Sequence, residues 1–356
     1  MKQILFSLFL ALLPLAASAD AVEIDGIYYN LVSKVKTAEV TSNPNKYSGV
    51  VEIPDTVTYD GVTYDVTSIG SEAFSRCNDL TSVTIPNSVS NIGYGAFQWC
   101  SSLTSLIIPN SVTSIGGSAF QWCTGLTCIT ILGSVTGSVS FFYCSNLTRI
   151  NILESVTAFE FSGCESLKEI HISDLGAWCR MSKQYTGSEP PSYALYLNGE
   201  EIKDFVIPNS VTSIEAFAFV GCSRLKTITI PNSVTTLGYQ AFRECSGLTS
   251  VNIPNSVTSI GKRAFLGCSG LTSVTIPSSV TSIGESAFSN CSSLKKITIE
   301  SRSARIGYYA FSSCVELADV YCNIINPLET YSEYGETNNC INSNAFNNSY
   351  HECLLK

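Results

Sequence analysis

Apolar residues return along this chain in a fixed order, with polar residues between them. In one stretch, Leu271, Val274 and Ile276 are apolar, and Thr272 and Thr275 alternate with them. That pattern predicts a short β-branched strand with one buried face. Pro277 removes a backbone donor and ends the pairing. Val280 and Ile283 make a second, shorter extended piece, closed by Gly284. Ala287, Phe288 and Cys291 then follow at spacings of one and four, which predicts a single helical turn directed inward. Each such unit is one coil.

The coil repeats. Leu80, Leu103 and Leu126 are 23 residues apart, and Leu225, Leu248, Leu271, Leu294 and Leu317 keep the same period. Self-similarity at a fixed period of this size is the signature of a solenoid, in which stacked units bury apolar rows that no single unit can bury. The rows read directly as columns. One is Phe74, Phe97, Phe120, Phe141, Phe161, Phe219, Phe242, Phe265, Phe288 and Phe311; another is Cys77, Cys100, Cys123, Cys144, Cys164, Cys222, Cys245, Cys268, Cys291 and Cys314. Parallel pairing between coils would set them about 4.8 Å apart.

The unit LTSVTIPxSVTSIGxxAFxxCSx resembles the BspA-like family of bacterial leucine-rich repeat surface proteins, over about residues 24 to 349. The expected fold is a β-rich repeat solenoid with one short helical turn per coil, a right-handed leucine-rich repeat superhelix of about ten 23-residue coils. The resemblance further implies a secreted or surface-exposed protein, with adhesion to host proteins or other cells among the roles of such proteins.

The ends divide the chain. Lys2, the apolar run from Ile4 to Leu15 and Ala17-Ser18-Ala19 read as a secretory signal peptide over 1–19. The run is shorter than the roughly 20 residues of a membrane-spanning helix. Residues 20–66 read as an N-terminal cap, with Asp60-Gly61 as a tight hairpin turn. The solenoid is expected over 67–322. Residues 323–356 form an irregular C-terminal cap that leaves the last apolar edge open, so either the natural product is truncated or a domain has been cut away. The coils from Leu126 and Leu147 are short and replace Ile-Pro with Ile131-Leu132 and Ile152-Leu153. An insertion at 173–200 follows, with Trp178, Tyr185, Pro190-Pro191, Tyr193 and Tyr196, and Asn198-Gly199 as a hairpin signal. Insertions in repeat proteins emerge on one face, often the binding face.

Charge and chemistry narrow the function. With 20 Lys and Arg against 29 Asp and Glu, the net charge is −9. An acidic chain without a basic stripe is a poor binder of nucleic acid. Ten of the 15 cysteines share one column, where parallel Cβ directions make poor disulfide geometry and a buried thiol acts as a small hydrophobe. Cys128, Cys179, Cys322, Cys340 and Cys353 lie off it, and none has the close spacing of a zinc site. Only His171 and His351 could serve as imidazole bases, and no nucleophile elbow, metalloprotease helix or phosphate loop is present. No catalytic, metal or cofactor residue is therefore expected.

One column stands out. The position before the ladder cysteine reads Arg76, Trp99, Trp122, Tyr143, Gly163, Gly221, Glu244, Gly267, Asn290 and Ser313. Trp99, Trp122 and Tyr143 would form an apolar patch three coils wide if this column faces outward, joined by Gln98, Gln121 and Phe142. Trp178 and Tyr185 on the insertion extend the candidate surface. The bland alternative is that the rings only stack on one another. The leading expectation is a binding or adhesion protein for an extracellular protein or glycan. Two others stand beside it: a carbohydrate-binding module using the aromatic stripe, and a spacer for a missing C-terminal domain.

Overall fold

The computed structural model describes residues 21–187, 189–323, 330–331 and 337–338. It is a β-solenoid of about eleven coils. Most coils contribute a longer strand, such as Ser273–Ile276, and a two-residue strand, such as Ser282–Ile283, while in the short coils from Leu126 and Leu147 the second strand lengthens to Val135–Ser140 and Val156–Glu160. Both kinds pair in parallel with their counterparts one coil away, with Val274 opposite Ile297 and Ile283 opposite Ile306.

The third side of the coil is not the helical turn that the one-and-four spacing predicts. It is a run of turns in which alternate amides face different partners. The N–H groups of Ala73, Ser75 and Cys77 bond three residues back, to Gly70, Glu72 and Phe74. Those of Glu72, Phe74 and Arg76 reach into the next coil, to Tyr94, Ala96 and Gln98. A helix would spend every amide within its own turn. Here half of them tie one coil to the next, and the alternation places Glu72 and Arg76 at positive φ, 56° and 60°.

The phenylalanine column forms a continuous internal file. Phe242, Phe265 and Phe288 stack with centroids 5.0 Å apart and planes within 7° of parallel. Tyr47 heads the file, 4.7 Å from Phe74. All ten column cysteines are buried, and every cysteine among the described residues is a free thiol. The thiols also donate: Cys245 Sγ to Phe219 O at 3.1 Å, Cys268 Sγ to Phe242 O at 3.1 Å, and Cys123 Sγ to Phe97 O at 3.0 Å. The carbonyls of Phe97, Phe219 and Phe242 thus each accept an amide from their own turn and a thiol from the next coil.

Parallel pairing reaches back before residue 67. Thr37–Val40 pairs with Val62–Ile69, and Gly49–Glu52 pairs with Leu80–Thr84. The stretch expected as a cap therefore contains coil strands, and the antiparallel strands Val22–Ile24 and Ile27–Val32 cover the open edge of Thr37–Val40. The expected signal peptide lies outside the described residues, as does the C-terminal stretch apart from the strand pair Thr330–Tyr331 and Thr337–Asn338.

Both sheets are interrupted at the insertion. Ala194–Leu197 pairs in parallel with Glu169–Ile172, then turns back antiparallel to Glu200–Glu201. A short helix, Leu175–Arg180, is N-capped by Asp174, whose Oδ1 accepts from the Ala177 amide at 3.0 Å. The buried core nevertheless runs through the break, because Tyr193 meets Phe161 edge-on at 6.2 Å and Phe205 lies 5.4 Å from Phe219.

Candidate functional site

The position before the ladder cysteine is left-handed in every coil. φ is +60° at Arg76, +65° at Trp99, +61° at Trp122 and +57° at Tyr143, and the column continues through Gly163, Gly221, Glu244, Gly267, Asn290 and Ser313. This conformation costs an L-residue about 1 kcal/mol and glycine almost nothing. Glycine at three of these positions and asparagine at a fourth follow from that. Bulky aromatics at three consecutive ones run against it, so something must offset the cost.

The offset is stacking. Trp99 and Trp122 lie 4.6 Å apart with planes 4° from parallel, and Trp122 and Tyr143 lie 4.3 Å apart at 2°. Phe142 closes the side, edge-on to Trp122 at 6.3 Å and to Tyr143 at 4.5 Å. The rings reach solvent, Trp99 being 39% and Tyr143 41% exposed. Gln98 and Gln121 are half-buried beside them. Gln121 Nε2 donates to Ser140 Oγ at 3.3 Å, and Ser140 Oγ donates to Glu160 Oε2 at 2.7 Å.

The stack ends at a cleft. The next column residue is Gly163, where a Cβ would come within 3.0 Å of Tyr143 Cγ and Cδ1. Because glycine has no side chain, no ring continues the stack beyond Tyr143, whose one stacked partner is Trp122. The space beyond Tyr143, about 590 Å³, is bounded by Phe142 and Tyr143, by Ser162 to Glu165, and by Tyr185, Thr186, Gly187 and Glu189 to Ser192 of the insertion. Thr186 ties the insertion down by donating its amide to Ser162 Oγ at 2.9 Å, and the Tyr185 hydroxyl donates to the Glu189 carbonyl. Pro191 O seats against Gly221, where a Cβ would come within 2.1 Å of it.

The structure thus joins two features that lie apart in the sequence, the stripe and the insertion. The insertion aromatics behave differently from each other. Trp178 is only 1% exposed and packs 6.1 Å from Phe159, so it supports the core and corrects the expectation of a surface ligand residue. Tyr185 is largely buried but borders the cleft with one edge. Beneath them lies Lys183, 3% exposed, with its ammonium 4.2 Å from the Trp178 ring and donating to the carbonyls of Trp178 and Met181. Burial outweighs these contacts and pulls its pKa down to about 7.

His171 and Glu169 are engaged elsewhere. Glu169 accepts from His171 at 3.1 Å and from Arg149 at 2.6 Å, and His171 stacks on Tyr196 at 4.3 Å. The His171 hydrogen bond, with Arg149 beside it, holds the Glu169 carboxyl below the usual carboxylate range. Among the described residues, no group of three or more His, Cys, Asp or Glu is placed to hold a metal ion, and no helix is long and apolar enough to cross a membrane.

The sequence matches the BspA type leucine rich repeat region, in 6 copies, over residues 67–177 and 191–318. The chain belongs to this family. The gap between the two matched segments of this BspA-type chain falls inside the insertion that walls the cleft. No curated protein matches the chain. Three solved structures are similar to this BspA-type solenoid. A leucine-rich cell surface protein from Faecalibacterium prausnitzii is 26% identical, over 93% of this chain and 98% of its own, with a TM-score of 0.49. A leucine-rich repeat protein from Bacteroides ovatus is 29% identical, over 84% and 94%, with a TM-score of 0.35. The pneumococcal vaccine antigen PcpA is 16% identical, over 86% of each chain, with a TM-score of 0.47.

Glu165, Glu189 and Gly163 were not singled out for a site by sequence reasoning. Glycine and asparagine recurring in the column of Trp99 were the available signal that this column is left-handed. Nothing in the repeat text signals which face the insertion covers.

Proposed function

We propose that this chain is a secreted or cell-surface binding protein, without catalytic activity, that recognises an extracellular macromolecule through the Trp99–Trp122–Tyr143 stack and the adjoining cleft. One observation carries the reading. Three consecutive solvent-reaching aromatics occupy left-handed positions that glycine or asparagine fills in four other coils, and their stack opens onto a cleft built by the insertion. An aromatic patch on a rigid scaffold gives contact area with little ordering cost on binding.

The stack is less suited to a row of sugar rings. Its faces are taken by one another, and Tyr143 alone presents a face to the cleft. The membership of the chain in the BspA type leucine rich repeat family supports display outside the cell. The test is capture of soluble extracellular-matrix proteins by the immobilised chain. The Trp99→Ala/Trp122→Ala variant should lose capture while keeping its fold, and unchanged capture would remove the stack from the account.

A further inference from the structure

The binding reading above leaves the chemistry of the bound group open, and the cleft itself narrows it. Resting on that reading, we propose that the cleft beside Tyr143 takes a cationic side chain, an arginine or lysine carried on an extended segment of a partner protein.

The first argument is the free ring face. Trp122 covers one face of Tyr143 at 4.3 Å, and the other looks along the stack axis to Gly163. The electron-rich face of an aromatic ring attracts an ammonium or guanidinium group placed over it, most strongly where water is partly excluded. Gly163 makes that face available. A side chain at this left-handed position would crowd the ring, since its Cβ would already lie 3.0 Å from Tyr143 Cγ and Cδ1.

The second argument is charge. Glu165 and Glu189, both exposed, line the cleft, the first from the coil and the second from the insertion. No lysine or arginine is among the lining residues. A third carboxylate lies close by: burial raises the Glu244 carboxyl, Arg243 opposes that, and Glu189 adds to the rise. Arg243, within electrostatic reach of Tyr185, is buried and gives Nη1 to Gln240 Oε1 at 3.0 Å. The net charge of −9 draws a basic partner toward the chain as a whole.

The third argument is shape. At about 590 Å³ the space accommodates one long side chain together with backbone on either side. Its remaining lining is polar and short, with Ser162, Thr186 and Ser192, while Pro190-Pro191 gives a stiff wall. A flat neutral ligand would use the ring face and leave two carboxylates desolvated without a partner. A guanidinium satisfies both demands at once.

The test is calorimetric titration of the full chain with acetyl-Gly-Arg-Gly-Arg-Gly-amide and with the same peptide carrying citrulline, which keeps the shape and removes the charge. The arginine peptide should bind about tenfold more tightly than the citrulline peptide, and the Glu165→Gln/Glu189→Gln variant should lose about that factor. Both glutamates are exposed, so the variant should keep the wild-type melting temperature, checked by circular dichroism. Equal binding of the two peptides would overturn the proposal. So would an unchanged affinity in the double variant, or tighter binding of maltoheptaose than of the arginine peptide. Failure here is separable from failure of the binding reading. If matrix capture still depends on Trp99 and Trp122 while the peptide does not bind, only the cationic assignment falls. If capture survives loss of the tryptophans, the stack reading falls, and the peptide titration alone decides the cleft.

Discussion

The rings of Trp122 and Tyr143 lie 4.3 Å apart and within 2° of parallel, each on a residue in the left-handed conformation. Trp122 also stacks on Trp99, so it is the member of the file that holds two partners. Stacked aromatic pairs contribute roughly 0.5–1.5 kcal/mol beyond their burial. Trp122→Ala should therefore destabilise the chain by about 2 kcal/mol in urea unfolding, because alanine keeps the unfavourable φ and loses both stacks. The near-ultraviolet dichroism of the coupled indoles should vanish with it. A variant as stable as the wild type would show that the rings do not offset the backbone cost.

Asn290 isolates that backbone cost from stacking. It holds φ at +59° in the same column, exposed and remote from the aromatic stripe. Asn290→Gly should be more stable than Asn290→Ala by about 1 kcal/mol, since glycine enters the left-handed region freely. Equal stabilities by denaturant titration would contradict a left-handed column.

The period of 23, the strands, and the phenylalanine and cysteine files were all legible in the sequence, because each column repeats the same demand many times over. The turn was misread for a physical reason. Spacings of one and four bring residues to the same face in a helix, and they also do so in a run of turns whose alternate amides bond the next coil, as at Phe74 and Arg76. The insertion was the least legible part. Trp178 and Tyr185 have no equivalents in other coils, so no column revealed that one is buried beneath Phe159 and that the other only edges the cleft. The approach of Glu189 to Tyr143's coil depends on how the inserted loop folds back, which no local pattern encodes.

Lys183 should give stability a distinctive pH dependence. Its native pKa is near 7 against 10.5 for an ordinary lysine. Between these values the unfolded chain binds the proton and the native chain does not, so the residue costs stability that is recovered as pH rises from about 7 to 10.5. Below about 7 the full cost is present. Lys183→Met should remove a slope of up to about 1.4 kcal/mol per pH unit across that window. The advantage of the variant over the wild type should be largest at neutral pH and fade toward pH 10. An advantage independent of pH would mean that the ammonium stays charged in the native state.

The thiol file makes a chemical prediction. Burial holds the column cysteines from Cys77 to Cys291 above an ordinary thiol, with Cys164 and Cys222 pushed up to about 12. Only the thiolate is a nucleophile. Iodoacetamide at pH 8.5 should therefore leave Cys245 and Cys268 unmodified in the native chain and label them in guanidinium, read by peptide mass mapping. Cys128 and Cys322, which are partly exposed, should react first. Stoichiometric labelling of Cys245 in the folded chain would be incompatible with the packed file.

The claim on which the functional account turns is that recognition is confined to the stack and its cleft, and a matched comparison of exposed aromatics tests it most directly. Tyr94 and Tyr309 are 54% and 44% exposed, similar to Tyr143 at 41%, but lie outside the stack and the cleft lining. Affinity for a captured matrix protein should be measured for Tyr143→Ala and for Tyr94→Ala/Tyr309→Ala. The account predicts at least a tenfold loss, on the order of 1.4 kcal/mol, for the first and wild-type affinity for the second. Equal losses, or a loss in the second alone, would contradict it.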